Sequence, residues 1–247
     1  MTPAWIRAVV CFLLVISQAV EAKSQVNQAW TEYMLNYPFA NQFNIEFAPT
    51  YAVYEGSPRW STLSFQVTPE WSPTDRFDIQ CAAMVNRTNQ NDTRSTDEIR
   101  EMIGTRINFT PHKRILTRLL VRYEQRNLQD IETSEWTHSN RTRLRAETIT
   151  PLNKRTMFSG DRLLYLTLDA EAFLVIDRNL EERYTNRYRF RAGLGYRLNY
   201  TWRFELQYMY QVARNTVDTE FDSSDGIIRI RIKQFLNKAK PKSDVKD

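Results

Sequence analysis

The sequence is poor in residues that staple, bend or break a chain. It holds two cysteines, six glycines and nine prolines in 247 residues. Cys11 falls in the leader described below, which leaves Cys81 alone. That excludes a disulfide framework and a thiolate metal site. Beyond residue 22 no window reaches 18 apolar residues, so a transmembrane helix is excluded as well. Helix-period segments, Gly/Ser linkers and a second composition zone are also missing, and the chain reads as one domain.

What is present begins with that leader. "MTPAWIRAVVCFLLVISQAVEAKSQ" carries Arg7, an apolar run from Ala8 to Val20, and small residues at Val20 and Ala22. This predicts a secretory signal peptide over 1–22, removed after Ala22. The apolar run is shorter than the roughly 20 residues of a spanning helix. No lipobox surrounds Cys11. Five Asn-x-Thr sequons (Asn86, Asn91, Asn108, Asn140, Asn199) would matter only in a eukaryotic secretory pathway.

The rest of the chain alternates. Strands are predicted near 41–54, 60–71, 75–87, 97–109, 114–127, 135–149, 162–176, 183–198, 201–214 and 225–235. In "RFRAGLGYRL" (189–198) arginine or glycine takes every odd position, and apolar residues take the even ones. In 201–212 Trp202, Phe204, Leu206, Tyr208 and Tyr210 oppose Arg203, Glu205, Gln207 and Gln211. A period of two gives each strand one greasy and one polar face. Strand 97–109 is the least clean, because Glu101 falls on its greasy side.

Two folds accept that pattern: a soluble sandwich or lipocalin-type barrel with the greasy face inside, and a transmembrane barrel with it outside. Three features favour the membrane. The strands are longer than the roughly 5–6 residues usual in soluble proteins. Trp60, Trp71, Tyr123, Tyr188, Tyr196 and Trp202 stand near strand ends, where interfacial girdles belong. A bilayer also requires every backbone group to pair, as strands do only in a closed barrel. The expected fold is therefore all-β: a closed antiparallel transmembrane β-barrel of about ten strands over 41–235, with twelve as the alternative.

Short connections ("NYPFANQF", "WSPTDRF", "FTPHKRI", "TPLNKRT", "RLNYTWR") alternate with longer polar links near 55–59, 88–97, 128–134, 177–182 and 215–225. This predicts short periplasmic turns and longer outer loops. A basic tail (236–247) would then lie in the periplasm. "AWTEYMLNY" (29–37) alternates too, but one extra strand would force a parallel closure. Residues 23–40 are accordingly expected as an accessory segment in the lumen or at the periplasmic rim. The last strand, "GIIRIRIKQF", closes on Phe235 like the terminal aromatic signal of barrel assembly machinery.

"AWTEYMLNYPFANQFN", "ILTRLLVRYEQRN", "TRLRAETITPLNK" and "RYRFRAGLGYRLNYTWRFELQYMYQ" resemble an uncharacterised family of Gram-negative outer-membrane barrels, the domain of unknown function 2490, over residues 29 to about 235. The resemblance rests on strand-and-turn patterns. It implies a barrel located in the outer membrane, and implies no activity for any residue.

The inward faces carry the remaining signal. Arg118, Arg122, Arg143, Arg145, Arg187, Arg189, Arg191 and Arg203 are predicted to face the lumen with Asp169, Glu171 and Glu205. Arg126, Arg141, Arg197, Arg229, Arg231, Glu124 and Glu147 join them. The first reading is a lattice of Arg–carboxylate pairs that fills a narrow barrel and makes it a structural or interaction protein. The second uses the surplus of arginine, as a narrow anion-preferring channel or anion-binding barrel. A lipid-modifying enzyme is a weaker third reading. His112 sits in a turn, and His138 at the outer rim has no nucleophile elbow or metal-ligand cluster beside it. No metal or other cofactor is expected. The expected partners are outer-membrane lipid, the assembly machinery and an unspecified protein; nucleic acid is not among them.

Overall fold

Period-two alternation runs through the backbone as eleven long strands among the described residues. They are β1 (Val26–Phe39), β2 (Phe43–Tyr54), β3 (Trp60–Trp71), β4 (Phe77–Gln90), β5 (Thr96–Asn108), β6 (Leu116–Asp130), β7 (Trp136–Pro151), β8 (Leu163–Val175), β9 (Arg187–Arg197), β10 (Trp202–Ala213) and β11 (Ser223–Phe235). The computed structural model describes residues 26–40, 42–56, 59–90, 95–175, 187–213 and 223–236. The expected signal peptide and almost all of the basic tail lie outside them. The ten predicted strands recur with ends shifted by four residues or fewer.

The strands close into one barrel in which each pairs with its chain neighbours and β1 pairs with β11. Ten pairings are antiparallel; β1 and β11 run parallel, from Val26↔Gly226 to Asn36↔Phe235. The expectation of ten or twelve strands is thus corrected to eleven. Residues 29–37 are wall, not an accessory segment, because both edges of β1 find full ladders, on β2 and on β11.

The expected contrast in connection length is also weak. The Phe235 end carries 40–42, 72–76, 109–115, 152–162 and 198–201, and the Val26 end 55–59, 91–95, 131–135, 176–186 and 214–222. Both sets include an eleven-residue connection. The strands extend into sequence expected as outer loop, β4 as far as Gln90 and β6 as far as Asp130. At the other end "LNKRTMFSGDR" does not alternate and so leaves the sheet. Its Met157 packs on Ile149, Leu163 and Tyr165 at the mouth of the lumen.

The barrel is inside out. Phe47, Phe65, Ile103, Phe190, Leu206 and Ile230 are 40–56% exposed on its outer face, while Glu124, Glu171 and Glu205 are 0–5% exposed inside. Near the Phe235 end the outer aromatics stack in a row, Tyr37–Phe39–Phe43–Trp71, with ring centroids 5.6–6.3 Å apart. Trp60 does not join such a girdle: it shares the inward parity of Tyr54 and stacks on it. Glu101 stays on the outer face, exposed between Ile99 and Ile103.

Candidate functional site

Alternation aims one row of each strand into the lumen, and register decides which charges meet. Glu124 on β6 is the most enclosed, at 0% exposure. Arg122 reaches it at 2.6 Å from the same strand, Arg141 at 2.6 Å and Arg143 at 3.5 Å from β7, and Arg100 at 3.7 Å from β5. Glu171 on β8 is bound by Arg143 and approached by Arg189 at 3.7 Å and Arg191 at 3.2 Å. Arg191 also holds Asp169 at 2.5 Å. Glu205 on β10 takes Tyr165 Oη at 2.7 Å, Arg231 at 3.0 Å and Lys233 at 2.8 Å. Arg118 pairs with Glu147 at 2.6 Å. Glu124, Glu171 and Glu205 are thus each shared by several donors, and sharing compensates the desolvation of both signs.

Two aromatic rings fill the gaps between these pairs. The guanidinium carbons of Arg141, Arg143 and Arg189 lie 4.7, 5.0 and 4.8 Å from the Phe173 ring centroid, and Phe173 is 2% exposed. Arg189 and Arg229 lie 5.5 and 5.9 Å from Trp30. Planar guanidinium on an aromatic face packs apolar and charged groups together without a void. This layer lies on the side nearer Val26, with Glu124, Glu171 and Phe173 buried in it.

On the Phe235 side the lumen opens into a cavity of about 470 Å³. Its lining runs from the rim residues Pro38, Asn44, Tyr200 and Phe235 up to Arg122, Arg143, Arg191 and Arg229. Ten cationic side chains and five carboxylates line it. Most of the cations are held from behind or beside by a carboxylate. Two are not closely held. Arg145 has its nearest carboxylate, Glu147, at 3.9 Å, and its Nε is buried without a partner. Arg203 lies 4.2 Å over the Phe235 ring, its Nε also unpartnered.

The candidate residues divide accordingly. Arg118, Arg122, Arg143, Asp169, Glu171, Arg189, Arg191 and Glu205 join the network. Arg145 and Arg203 face the cavity at its margin. The side chain of Arg187 lies outside the described residues; its backbone pairs with Phe173. Arg197 sits at the rim, donating to Gly160 O at 2.7 Å. Sequence reasoning missed Glu32, which binds Arg231 and, at 2.6 Å, Arg229. It also missed Glu98 between Arg100 and Arg126, at 2.7 Å from each, and Arg106 with Glu70 and Asp78 at 3.0 and 3.3 Å. These carboxylates shrink the expected arginine surplus. Their signal was present as inward parity on β1, β3, β4 and β5.

The lattice needs glycine at one point. A Cβ on Gly195 would lie 2.2 Å from the Tyr165 ring, which crosses that position to reach Glu205. Gly195→Ala is expected to displace the ring and lower stability by about 1–3 kcal/mol. A urea titration of the refolded variant, followed by intrinsic fluorescence, checks this.

The rim histidines stand apart from this network. His138 Nδ1 lies 2.6 Å from Asn127 Oδ1 on the exposed outer face, and His112 Nε2 lies 3.2 Å from Asp75. Among the described residues no group of three or more His, Cys, Asp or Glu side chains is arranged to hold a metal ion.

A family model described as a protein of unknown function (DUF2490) matches residues 27–222. The chain belongs to that family. The match takes in β1 to β10, so this DUF2490 member carries nearly its whole wall, lattice and cavity within the family region. A search of curated proteins finds no match for it.

Proposed function

We propose that this DUF2490 protein is a non-conducting β-barrel of the bacterial outer membrane, with a structural or interaction role. The carrying observation is the buried layer of the lumen, where the Glu124 and Glu171 clusters pack around Phe173. The exposed apolar belt and the aromatic row at its edge support a lipid surround. All the strands have 11–16 residues, enough for the roughly 9–11 that a tilted crossing takes. The terminal Phe235, with its assembly-signal pattern, orients that end toward the periplasm. Lipid and the assembly machinery are then the constant partners, and a protein partner would meet the barrel ends. No catalysis is assigned; His138 Nδ1 pairs with Asn127 Oδ1 at 2.6 Å.

The test is conductance of the refolded barrel in a planar bilayer. A silent bilayer is expected; steady openings would overturn the reading. Arg145 and Arg203 favour a second reading, an anion-binding barrel. With the buried layer above them, it would be a blind vestibule filled from the periplasmic end.

A further inference from the structure

The cavity contains unsatisfied groups of both signs, at separate places. Glu46 on β2 lines it; among the described residues its side chain makes no hydrogen bond and no ion pair within 4.0 Å, its charged neighbours being Arg231, Lys233, Glu32 and Glu70. Beside it on the same strand, Asn44 donates to Asn36 Oδ1 at 3.3 Å, while its own Oδ1 is buried without a partner. These two acceptors form one pole. Arg203 forms the other: no described carboxylate lies within 4.0 Å of it, and its guanidinium rests on Phe235. Arg145, deeper in the lumen, adds a second loosely held guanidinium.

The register fixes how the poles relate. Glu46 pairs with Asn36, and Asn36 pairs with Phe235, so the three stand in one row across β2, β1 and β11. Glu46 and the ring under Arg203 are therefore two inter-strand spacings apart, roughly 10 Å between backbones. Arg203 itself stands one strand further on, on β10, and no ion pair within 4.0 Å joins it to Glu46, so a small molecule could bridge them. The cavity volume lies within the roughly 300–1,000 Å³ of small-molecule sites. A simple anion would satisfy Arg203 and leave Glu46 and Asn44 Oδ1 unmet. A carboxylate and an amide oxygen together suit an ammonium, which has three donors and no acceptor. A guanidinium suits the several acceptor oxygens of a phosphate.

We propose that the cavity binds a small phosphate-bearing zwitterion, its ammonium on Glu46 and Asn44 and its phosphate on Arg203. The inference rests on the anion-binding reading. Its chemistry is that of free phosphoethanolamine and of an ethanolamine phospholipid headgroup.

The test is calorimetric titration of the refolded barrel in detergent with O-phosphoethanolamine and with glycerol 3-phosphate, anions of similar size. Phosphoethanolamine is expected to bind about tenfold tighter or better. Glu46→Gln should abolish that preference and leave glycerol 3-phosphate binding unchanged. Arg203→Gln should weaken both ligands by about tenfold. Equal binding of the two ligands by the unaltered protein would overturn the zwitterion and leave the anion reading standing. No binding of either would overturn both readings. The comparison on the unaltered protein decides even if a variant fails to fold. Displacement of bound phosphoethanolamine by lyso-phosphatidylethanolamine in the micelle would identify the headgroup as the source. Soluble binding without such displacement would identify the free solute.

Discussion

Glu124→Gln is expected to destabilise the barrel by on the order of 3–5 kcal/mol, because it removes the negative partner of a buried cluster. Four guanidiniums from three adjacent strands converge on that one carboxylate. The substitution keeps the side-chain volume and removes the charge, so the four arginines would repel one another in a buried space. Packing alone would predict almost no change. A urea unfolding titration of the refolded barrel checks it, with Glu101→Gln as control. Glu101 is exposed on the outer face, and its variant should match the parent or exceed it. A Glu124→Gln barrel as stable as the parent would sink the lattice as the source of rigidity.

Leu206→Arg tests the opposite face. Leu206 is 51% exposed and is flanked in register by Leu194 and by Ile230, itself 50% exposed. If lipid surrounds this belt, the arginine should cost about 2–4 kcal/mol near the bilayer midplane. Folding yield into phospholipid vesicles should fall, while the variant should stay soluble in urea. If the belt met water, the change should stay within about 0.5 kcal/mol, as for ordinary surface positions. Measuring the parent and variant in the same vesicles separates the two cases.

The wall was more legible in sequence than the lattice inside it, for a physical reason. A strand with one face in lipid must alternate, and alternation is a local property. Phe204-Glu205-Leu206-Gln207-Tyr208 declares its own faces. β1 was misjudged because its faces differ less. Trp30 and Met34 share its inner row with Glu32, and Thr31 interrupts its outer row. Evenness of strand number then counted against it. The error propagated inward, because dismissing β1 removed Glu32 and left Arg229 and Arg231 without their nearest carboxylate.

Pairs within one hairpin, such as Asp169 with Arg191, follow from chain order. Contacts that skip a strand, such as Tyr165 to Glu205 forty residues on, depend on register and barrel curvature, which alternation does not encode. The cavity was invisible for the same reason. Glu46 and Arg203 are 157 residues apart in sequence, and only the closing β1–β11 pair makes them neighbours across the mouth.

That same parallel pair sets the order in which the wall can be built. An antiparallel circuit with an even count returns both chain ends to the side of entry. Here β1 and β11 run in one direction, so Val26 and Phe235 stand at opposite ends of the barrel. If the barrel sits in the outer membrane as proposed, with Phe235 at the periplasmic side, the leading end of β1 would stand at the cell surface. The buried charge layer around Glu124 and Glu171 stands in the way of a strand end passing afterwards. In that setting the amino-terminal end of the wall would have to cross the membrane while the sheet is still open, and joining β1 to β11 would be the step that ends assembly.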